Sequence, residues 1–299
     1  MDTSFIRGII PPIITPIDED ERIDEAKLRE QVEYLIKGGC HGILLFGSNG
    51  EFYVIEEDEM QRGLRIAVDQ AAGRVPVFFG IGAISTKKCV KLAKMAFEGG
   101  AAAVSLLQPM YIKPDSRELF LHYKTVAEAI APKPMLIYNN PGRAGYGLTC
   151  DLIVELAETC ENIVGIKDTS GDASLMEEII RRTRHLGFKV MGGKDTLLFV
   201  TLMLGGVGGV CTMANVYPEL VCSIYNKFMA GDWEGAREAQ YVMNPIRLSM
   251  DKSTFPVAAK AMNKVIGRDM GLPYLPTLEP TEAGWKAIQK AIDEAGPLK

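Results

Sequence analysis

The sequence predicts an α/β fold, a (β/α)8 TIM barrel followed by a C-terminal helical appendage. First, eight short apolar, β-branched runs alternate with eight segments of helical spacing, which is the pattern of parallel βα units. Second, these units occupy residues 1–230, a length that suits such a barrel. Third, no G-x-G-x-x-G turn follows the first predicted strand, and this disfavours the alternative of an open doubly wound sheet.

The predicted elements follow one another in βα order through the first 230 residues. Runs of strand length and composition predict strands at 8–14, 42–46, 75–80, 102–107, 135–138, 163–167, 189–192 and 208–212. Amphipathic spacing predicts helices at 24–37, 56–72, 85–98, 116–131, 149–160, 173–186, 195–204 and 218–230. The strand signals then stop, so residues 231–299 are expected to form a C-terminal helical region with helices at 232–249, 255–266 and 282–295.

Composition excludes several classes of partner. Charged residues make up 24% of the 299 residues and the formal net charge is -5, which offers no basic stripe for nucleic acid. A small anionic substrate would therefore need local positive groups. The apolar run 8–14 is short and broken by two prolines, and no longer apolar run has the length of a membrane span or signal peptide. We therefore expect a cytoplasmic protein that binds no membrane.

The cysteines favour a cytosolic protein, and the spacing of the histidines argues against a metal site. The six cysteines include no C-x-x-C pair, which is typical of reduced thiols in the cytosol. His41, His122 and His185 lie on different predicted elements without metal-binding spacing, so no metal is expected. The glycine cluster at 205–209 precedes the eighth strand, and packing at the bottom of the barrel is its expected role rather than phosphate binding.

Lys167 is the first candidate for chemistry. It ends the predicted strand 163–167, and small polar residues follow it at once. An amine that loses its hydration among apolar side chains favours its neutral, nucleophilic form, which attacks ketone carbons. The alternative is a lysine that marks a strand end and extends into solvent.

Further candidates follow other predicted strands, at the face of a barrel that carries its active site. Gly47-Ser48-Asn49-Gly50-Glu51 follows the second strand and predicts a turn whose N–H groups can bind an anion. Tyr111 follows the fourth strand, Tyr138 ends the fifth, and Arg143 comes shortly after it. Because neighbouring strands lie about 4.8 Å apart, Tyr138 and Lys167 are expected to reach one bound molecule. Each tyrosine alone would be expected to be a rim or core aromatic, but their joint placement with a strand-end lysine favours a functional role.

These motifs, in this order and spacing, resemble one known family. Gly47-Ser48-Asn49-Gly50-Glu51, Tyr138-Asn139-x-Pro141 and Gly165-Ile166-Lys167-Asp168 are similar to those of the dihydrodipicolinate synthase and N-acetylneuraminate lyase family of Schiff-base barrel enzymes. The similarity covers essentially the whole chain, including the helical tail. It is specific for the family and much less so for one member.

The resemblance implies a role for each site residue. Lys167 would form an imine with pyruvate or another 2-oxo acid, and Tyr138 would relay protons. Ser48 and Asn49, with Gly47, would hold the 2-oxo acid carboxylate, and Tyr111 would reach a neighbouring subunit and complete a relay through Ser48. Arg143 would bind a carboxylate of the incoming aldehyde, although it could simply brace its loop. Gly193 and Val210, near the ends of the last two strands, are further expected substrate-binding positions.

The resemblance also implies a homotetramer built as a dimer of dimers, with no cofactor beyond the covalent imine. Condensation of pyruvate with aspartate semialdehyde is the favoured reaction because of Arg143. Synthases of this kind usually carry Gly-Thr-Thr-Gly-Glu, whereas this chain has Ser48 and Asn49. Together with Gly208-Gly209-Val210-Cys211-x-x-Ala214-Asn215, this turn is more similar to that of 4-hydroxy-2-oxoglutarate aldolases. Aldolases acting on 2-keto-3-deoxy sugar acids, sialic acid lyases, and a non-catalytic 2-oxo acid binding protein are the remaining alternatives.

Overall fold

The computed structural model describes residues 1–296, and its sheet confirms the predicted barrel. The strands are β1 Gly8–Ile9, β2 Ile43–Leu45, β3 Val77–Ile81, β4 Ala103–Leu107, β5 Met135–Asn139, β6 Ile163–Asp168, β7 Lys189–Gly192 and β8 Gly208–Gly209. All pair in parallel, in the order β1-β8-β7-β6-β5-β4-β3-β2. Leu44 closes the ring, because its N–H donates to Pro11 O and its carbonyl accepts from Ile13 N–H, both at 2.9 Å.

The helices surround the strands in the predicted order. They are α1 Glu25–Lys37, α2 Glu57–Ala71, α3 Thr86–Glu98, α4 Ser116–Ile130, α5 Pro141–Ala144, α6 Cys150–Thr159, α7 Ala173–Thr183, α8 Leu198–Met203 and α9 Pro218–Met229. Side chains cap several of them. The Asp115 carboxylate, for example, accepts from Glu118 N–H, and the Glu118 carboxylate accepts from Asp115 N–H. The short α5 was not predicted. Its start at Pro141 matches the preference of proline for the first helical turn.

The first and last strands are shorter than predicted, and the reason is local chemistry. Pro11 and Pro12 lack N–H groups and cannot donate to a ladder. Beyond β8 the chain turns at Thr212 into a 3-10 helix. The Asn215 side chain replaces the missing ladder bonds, accepting from Ile14 N–H at 3.1 Å and donating to Pro12 O at 3.0 Å.

The C-terminal region is helical, as expected. It contains α10 Trp233–Ser249, α11 Val257–Val265 and α12 Glu282–Ala295. The proposed division into residues 1–230 and 231–299 stays a prediction, and the last three residues of that predicted region, 297–299, lie outside the described residues. Within residues 1–296, none of the helices combines the length and apolar content needed to cross a membrane.

Two apolar cores bury the strands on both faces. The larger core lies between the strands and the surrounding helices. A smaller one fills the interior of the barrel, and its buried members are Ile6, Ile10, Leu44, Phe78, Ala103, Leu136, Val164, Met191 and Val210. A filled interior is the normal state of an eight-stranded barrel and leaves room for a ligand only at the strand ends.

The glycine cluster serves packing, as predicted. A Cβ on Gly206 would lie 2.6 Å from Thr201 Cγ2 in α8. Gly208 has φ +153°, and a Cβ there would lie 2.0 Å from the backbone oxygen of Gly8. The approach of β8 to β1 therefore requires glycine at position 208.

Gly208→Ala should destabilise the protein severely, by more than about 4 kcal/mol, because the clash is with backbone that cannot move without opening the barrel. Gly231→Ala is the matched control. Gly231 also has positive φ but nothing lies within 4 Å of its Cβ position, so alanine there should cost about 1–2 kcal/mol. Urea unfolding of both variants measures the difference, and equal losses would contradict this account of the junction.

Candidate active site

Lys167 and Tyr138 lie side by side at the ends of adjacent strands. The register of β5 and β6 pairs them directly, and Lys167 Nζ lies 4.0 Å from the centroid of the Tyr138 ring. Lys167 is only 3% exposed, which excludes the alternative of a lysine extending into solvent. Among residues 1–296, no carboxylate forms an ion pair with Lys167. The amine is thus buried against an aromatic ring without a counter-charge.

Tyr138 is buried and its phenol oxygen is tightly surrounded. The Asn140 Nδ2 amide donates to Tyr138 Oη at 2.8 Å. Burial alone would raise the pKa of Tyr138, but the charge of Lys167 and the polar groups of Ser48, Asn140 and Thr169 outweigh it, so the pKa is lowered. A phenol with a lowered pKa next to an amine is suited to proton transfer.

Unpartnered polar atoms surround this pair. Ser48 lies in a 3-10 helix, Ser48–Gly50, at the end of β2. Ser48 Oγ, Asn49 Oδ1 and Thr169 Oγ1 are buried and have no aligned hydrogen-bond partner in residues 1–296. Asn49 uses its other amide atom, Nδ2, to donate to Thr212 Oγ1 at 2.9 Å. Because native proteins rarely leave buried polar atoms unpartnered, their concentration here indicates a ligand site.

A buried hydrogen-bond network supports the site, and the sequence reasoning missed it. Gln108 Nε2 donates to Asn139 Oδ1 at 3.3 Å, and Asn139 Nδ2 donates to Asp168 Oδ1 at 2.7 Å. Ser170 Oγ donates to the second oxygen of Asp168 at 2.6 Å. Burial raises the pKa of Asp168 despite these bonds. The sequence signal for this network was that its members are polar residues at strand ends, close to Tyr138 and Lys167.

A cavity next to Asn49, which we call the mouth of the site, carries positive charge. Asn49, Arg143, Lys194, Thr212, Arg247 and Phe255 contribute to the lining of a cavity of about 210 Å³. The Arg143 guanidinium lies over the Phe255 ring, 4.1 Å from its centroid. Arg247 pairs with Asp195 and Asp251, whereas within residues 1–296 neither Arg143 nor Lys194 has an ion-pair partner. The mouth therefore suits an anionic group, and Lys194 is a cation that the sequence reasoning did not identify.

The other predicted site residues are placed differently. Tyr111 is 94% exposed, and its φ of +74° is unusual for a bulky residue. It therefore does not join the buried cluster of its own chain. Gly47 begins the Ser48–Gly50 turn. A Cβ on Gly193 would lie 1.9 Å from Thr169 Oγ1, so this glycine gives Thr169 its space. The Val210 side chain belongs to the barrel-interior core.

The C-terminal region contacts the Ser48–Gly50 turn through a buried ion pair. Glu51 follows the turn with φ +56°, and its Oε2 lies 2.7 Å from Lys260 Nζ in α11. Glu51 Oε1 accepts from Tyr274 N–H at 3.0 Å, and Lys260 also donates to Leu272 O at 2.7 Å. Burial lowers the pKa of Lys260, although Glu51 opposes this effect. The C-terminal region, which lies outside the barrel, thus holds the Ser48–Gly50 turn in place.

Comparison with known proteins gives a consistent result over the whole chain. A model of the dihydrodipicolinate synthetase family matches residues 5–295. A 4-hydroxy-tetrahydrodipicolinate synthase from Methanopyrus kandleri is 35% identical, over 98% of this chain and 97% of its own. A crystal structure of dihydrodipicolinate synthase from Thermotoga maritima has a TM-score of 0.94 and 28% identity, covering 98% of this chain and 99% of its own.

A further solved structure contains a small molecule. It is a prophage protein of the dihydrodipicolinic acid synthase family from E. coli K12 in complex with pyruvate. Its TM-score is 0.93 at 28% identity, over 97% of this chain and 98% of its own. The similarity therefore includes the barrel and the helical region alike.

Glu51→Gln should cost about 3–5 kcal/mol of stability, because it leaves the Lys260 ammonium buried without a counter-charge. Adding Lys260→Met should restore part of that loss. The exposed pair of Glu282 and Lys286 provides the control, and Glu282→Gln should change stability by no more than about 0.5 kcal/mol. Urea unfolding gives all four values. A Glu51→Gln loss as small as that of the control would show that the pair does not hold the turn.

Proposed function

Because the chain belongs to the dihydrodipicolinate synthetase family, whose members include class I pyruvate-dependent lyases, we propose that it is a 4-hydroxy-tetrahydrodipicolinate synthase. It would join pyruvate to aspartate semialdehyde through a Schiff base on Lys167. The observation that carries the proposal is the buried Lys167 amine, 4.0 Å from the centre of the Tyr138 ring and without a carboxylate partner in residues 1–296.

The chemistry follows from the properties of an imine. Lys167 Nζ, in its neutral form, adds to the C2 carbonyl carbon of pyruvate, and the carbonyl oxygen leaves as water. The resulting iminium withdraws electrons from C3, so loss of a C3 proton gives an enamine. The enamine carbon then forms the new bond to the aldehyde carbon, whose oxygen takes up a proton. This restores the iminium at C2, and attack on C2 by the amino group of the aldehyde substrate closes the ring and displaces Lys167 Nζ. Tyr138 relays these protons, and this sequence requires neither a metal nor an organic cofactor.

Neighbouring groups orient the two substrates. The Ser48 hydroxyl and the backbone N–H of Asn49, in the turn after β2, hold the pyruvate carboxylate, which would supply a partner for the otherwise unpartnered Ser48 Oγ. Arg143 binds the carboxylate of the aldehyde, because a guanidinium offers two parallel donors to two oxygens. Stacking on Phe255 supports this role, since it holds the guanidinium in one orientation. Gly47, Gly193 and Val210 remain proposed members of the substrate site.

A second candidate is a 4-hydroxy-2-oxoglutarate aldolase, which would cleave its substrate to pyruvate and glyoxylate. One contact favours it. Asn49 Nδ2 donates to Thr212 Oγ1, joining the two segments in which this sequence differs from the usual synthase motif. This bond leaves only Oδ1 of Asn49 free, so the turn offers one side-chain donor, Ser48 Oγ, rather than two. The same imine chemistry runs in the cleavage direction, and Arg143 would bind the distal carboxylate.

The proposed assembly is a homotetramer, a dimer of dimers, in the cytoplasm. Tyr111 supports an assembly of at least two subunits. Its ring is 94% exposed on a backbone with φ +74°, a conformation that is costly for a tyrosine. Insertion into the site of a neighbouring subunit, next to Ser48, would bury the ring and extend the proton relay.

Reduction with borohydride in the presence of pyruvate tests the imine. The wild-type protein should gain mass, because reduction converts the imine to a stable secondary amine, whereas Lys167→Ala should gain none. Lys286→Ala, at an exposed lysine, should retain the gain. Intact-mass measurement reads all three. No gain in the wild type, or an equal gain in Lys167→Ala, would exclude the enzyme proposal. No gain in the wild type would leave a non-catalytic 2-oxo acid binding protein as the alternative.

A substrate panel tests the choice of reaction. Aspartate semialdehyde condensation should be faster than cleavage of 4-hydroxy-2-oxoglutarate or of keto-deoxy sugar acids. Arg143→Lys keeps the charge but loses the paired donors, so the KM for the aldehyde should rise about tenfold or more while pyruvate trapping stays unchanged. Faster cleavage of 4-hydroxy-2-oxoglutarate would favour the second candidate. An unchanged aldehyde KM would mean that Arg143 only braces its loop.

A further inference from the structure

Asn140 contacts the phenol of Tyr138, and the mechanism proposed above gives this contact no role. Its Nδ2 donates to Tyr138 Oη at 2.8 Å, and both side chains are buried. The backbone N–H of Asn140 donates to Gln108 Oε1 at 3.1 Å. Gln108 in turn donates to the Tyr146 carbonyl at 3.0 Å. Asn140 is therefore held by hydrogen bonds from both its backbone N–H and its side-chain amide.

A structural role in the short helix does not explain this arrangement. Asn140 occupies the N-cap position of α5, where an asparagine side chain usually accepts from backbone N–H groups of the first turn. Here the side chain makes no capping hydrogen bond. The Asn140 Oδ1 atom would lie 3.6 Å from a Cβ on Gly142, which is ordinary contact. The contact of the side chain with Tyr138 therefore takes the place of the usual cap.

The contact with Asn140 restricts where the proton of the Tyr138 phenol can point. An amide N–H donates and cannot accept, so Asn140 occupies a lone pair of the Tyr138 oxygen. The phenol proton must then point to another acceptor, and the buried, unpartnered hydroxyls next to Tyr138 are those of Ser48 and Thr169. Of the two, Ser48 lies in the turn proposed to hold the pyruvate carboxylate. A donor to this oxygen also stabilises phenolate more than phenol. Both effects favour release of the proton toward the substrate side.

We propose that Asn140 is a positioning residue for the proton relay. It directs the Tyr138 proton toward Ser48 and the imine, and it stabilises the phenolate while that proton is away. The proposal rests on the lysine-dependent reaction described above. It predicts that removal of the amide donor slows proton transfer without weakening pyruvate binding.

Two substitutions separate this role from simple packing. Asn140→Val keeps a branched side chain and removes the donor, and Asn140→Asp keeps the shape but replaces the donor with an anionic acceptor. Gly142→Ala is the matched control, because it alters the same short helix and leaves the amide intact. Thermal unfolding confirms that each variant is folded. If Asn140→Asp does not fold, Asn140→Val alone decides the test.

The first readout is the ionisation of Tyr138, followed by the ultraviolet absorbance of tyrosinate, with Tyr138→Phe as the blank. Asn140→Val should raise the pKa of Tyr138, Asn140→Asp should raise it further, and Gly142→Ala should leave it unchanged. The second readout is the pH profile of kcat. Its basic limb should move to higher pH in both Asn140 variants, and kcat at neutral pH should fall about tenfold or more with little change in the KM for pyruvate.

Each outcome is decisive for Asn140. Parallel shifts of the tyrosinate titration and of the kcat profile support the proposal. An unchanged titration in Asn140→Val overturns it, as does a shifted titration with an unchanged kcat profile. Failure of the underlying reaction is seen separately, as absence of borohydride trapping in the wild type, because the tyrosinate titration requires no turnover.

Discussion

The placement of one amine against one aromatic ring depends on the pairing of two neighbouring strands. Lys167 and Tyr138 come from different strands, and the parallel register of β5 and β6 sets them directly side by side. Burying an amine without a nearby carboxylate is unfavourable in itself. The apolar cores on both faces of the strands offset that cost.

At the rim of the barrel, by contrast, unpartnered polar atoms lower the stability of the fold. Ser48, Asn49 and Thr169 each leave a buried polar atom unpartnered, and such atoms cost about 1–3 kcal/mol apiece until a ligand or water satisfies them. The fully bonded network of Gln108, Asn139 and Asp168 adjoins them. The bonded groups fix the surrounding structure, whereas the unpartnered groups remain available to a ligand.

The C-terminal region also contributes residues to this candidate site. It supplies Lys260, whose ammonium pairs with Glu51 directly after the Ser48–Gly50 turn. It also supplies Phe255, on which Arg143 stacks. The two substrate-binding ends of the proposed site are therefore both fixed by residues beyond position 230.

The sequence by itself determined the eight βα units, the family, and the strand-end positions of Lys167, Tyr138 and the Ser48–Asn49 turn. Periodicity and strand-end position are local properties, so they can be read directly. Only the tertiary structure decided which distant groups meet: Glu51 with Lys260, Asn49 with Thr212, and Asn215 with the segment that follows β1. The physical reason is that these contacts join segments far apart in the chain, and they exist only once the barrel has closed.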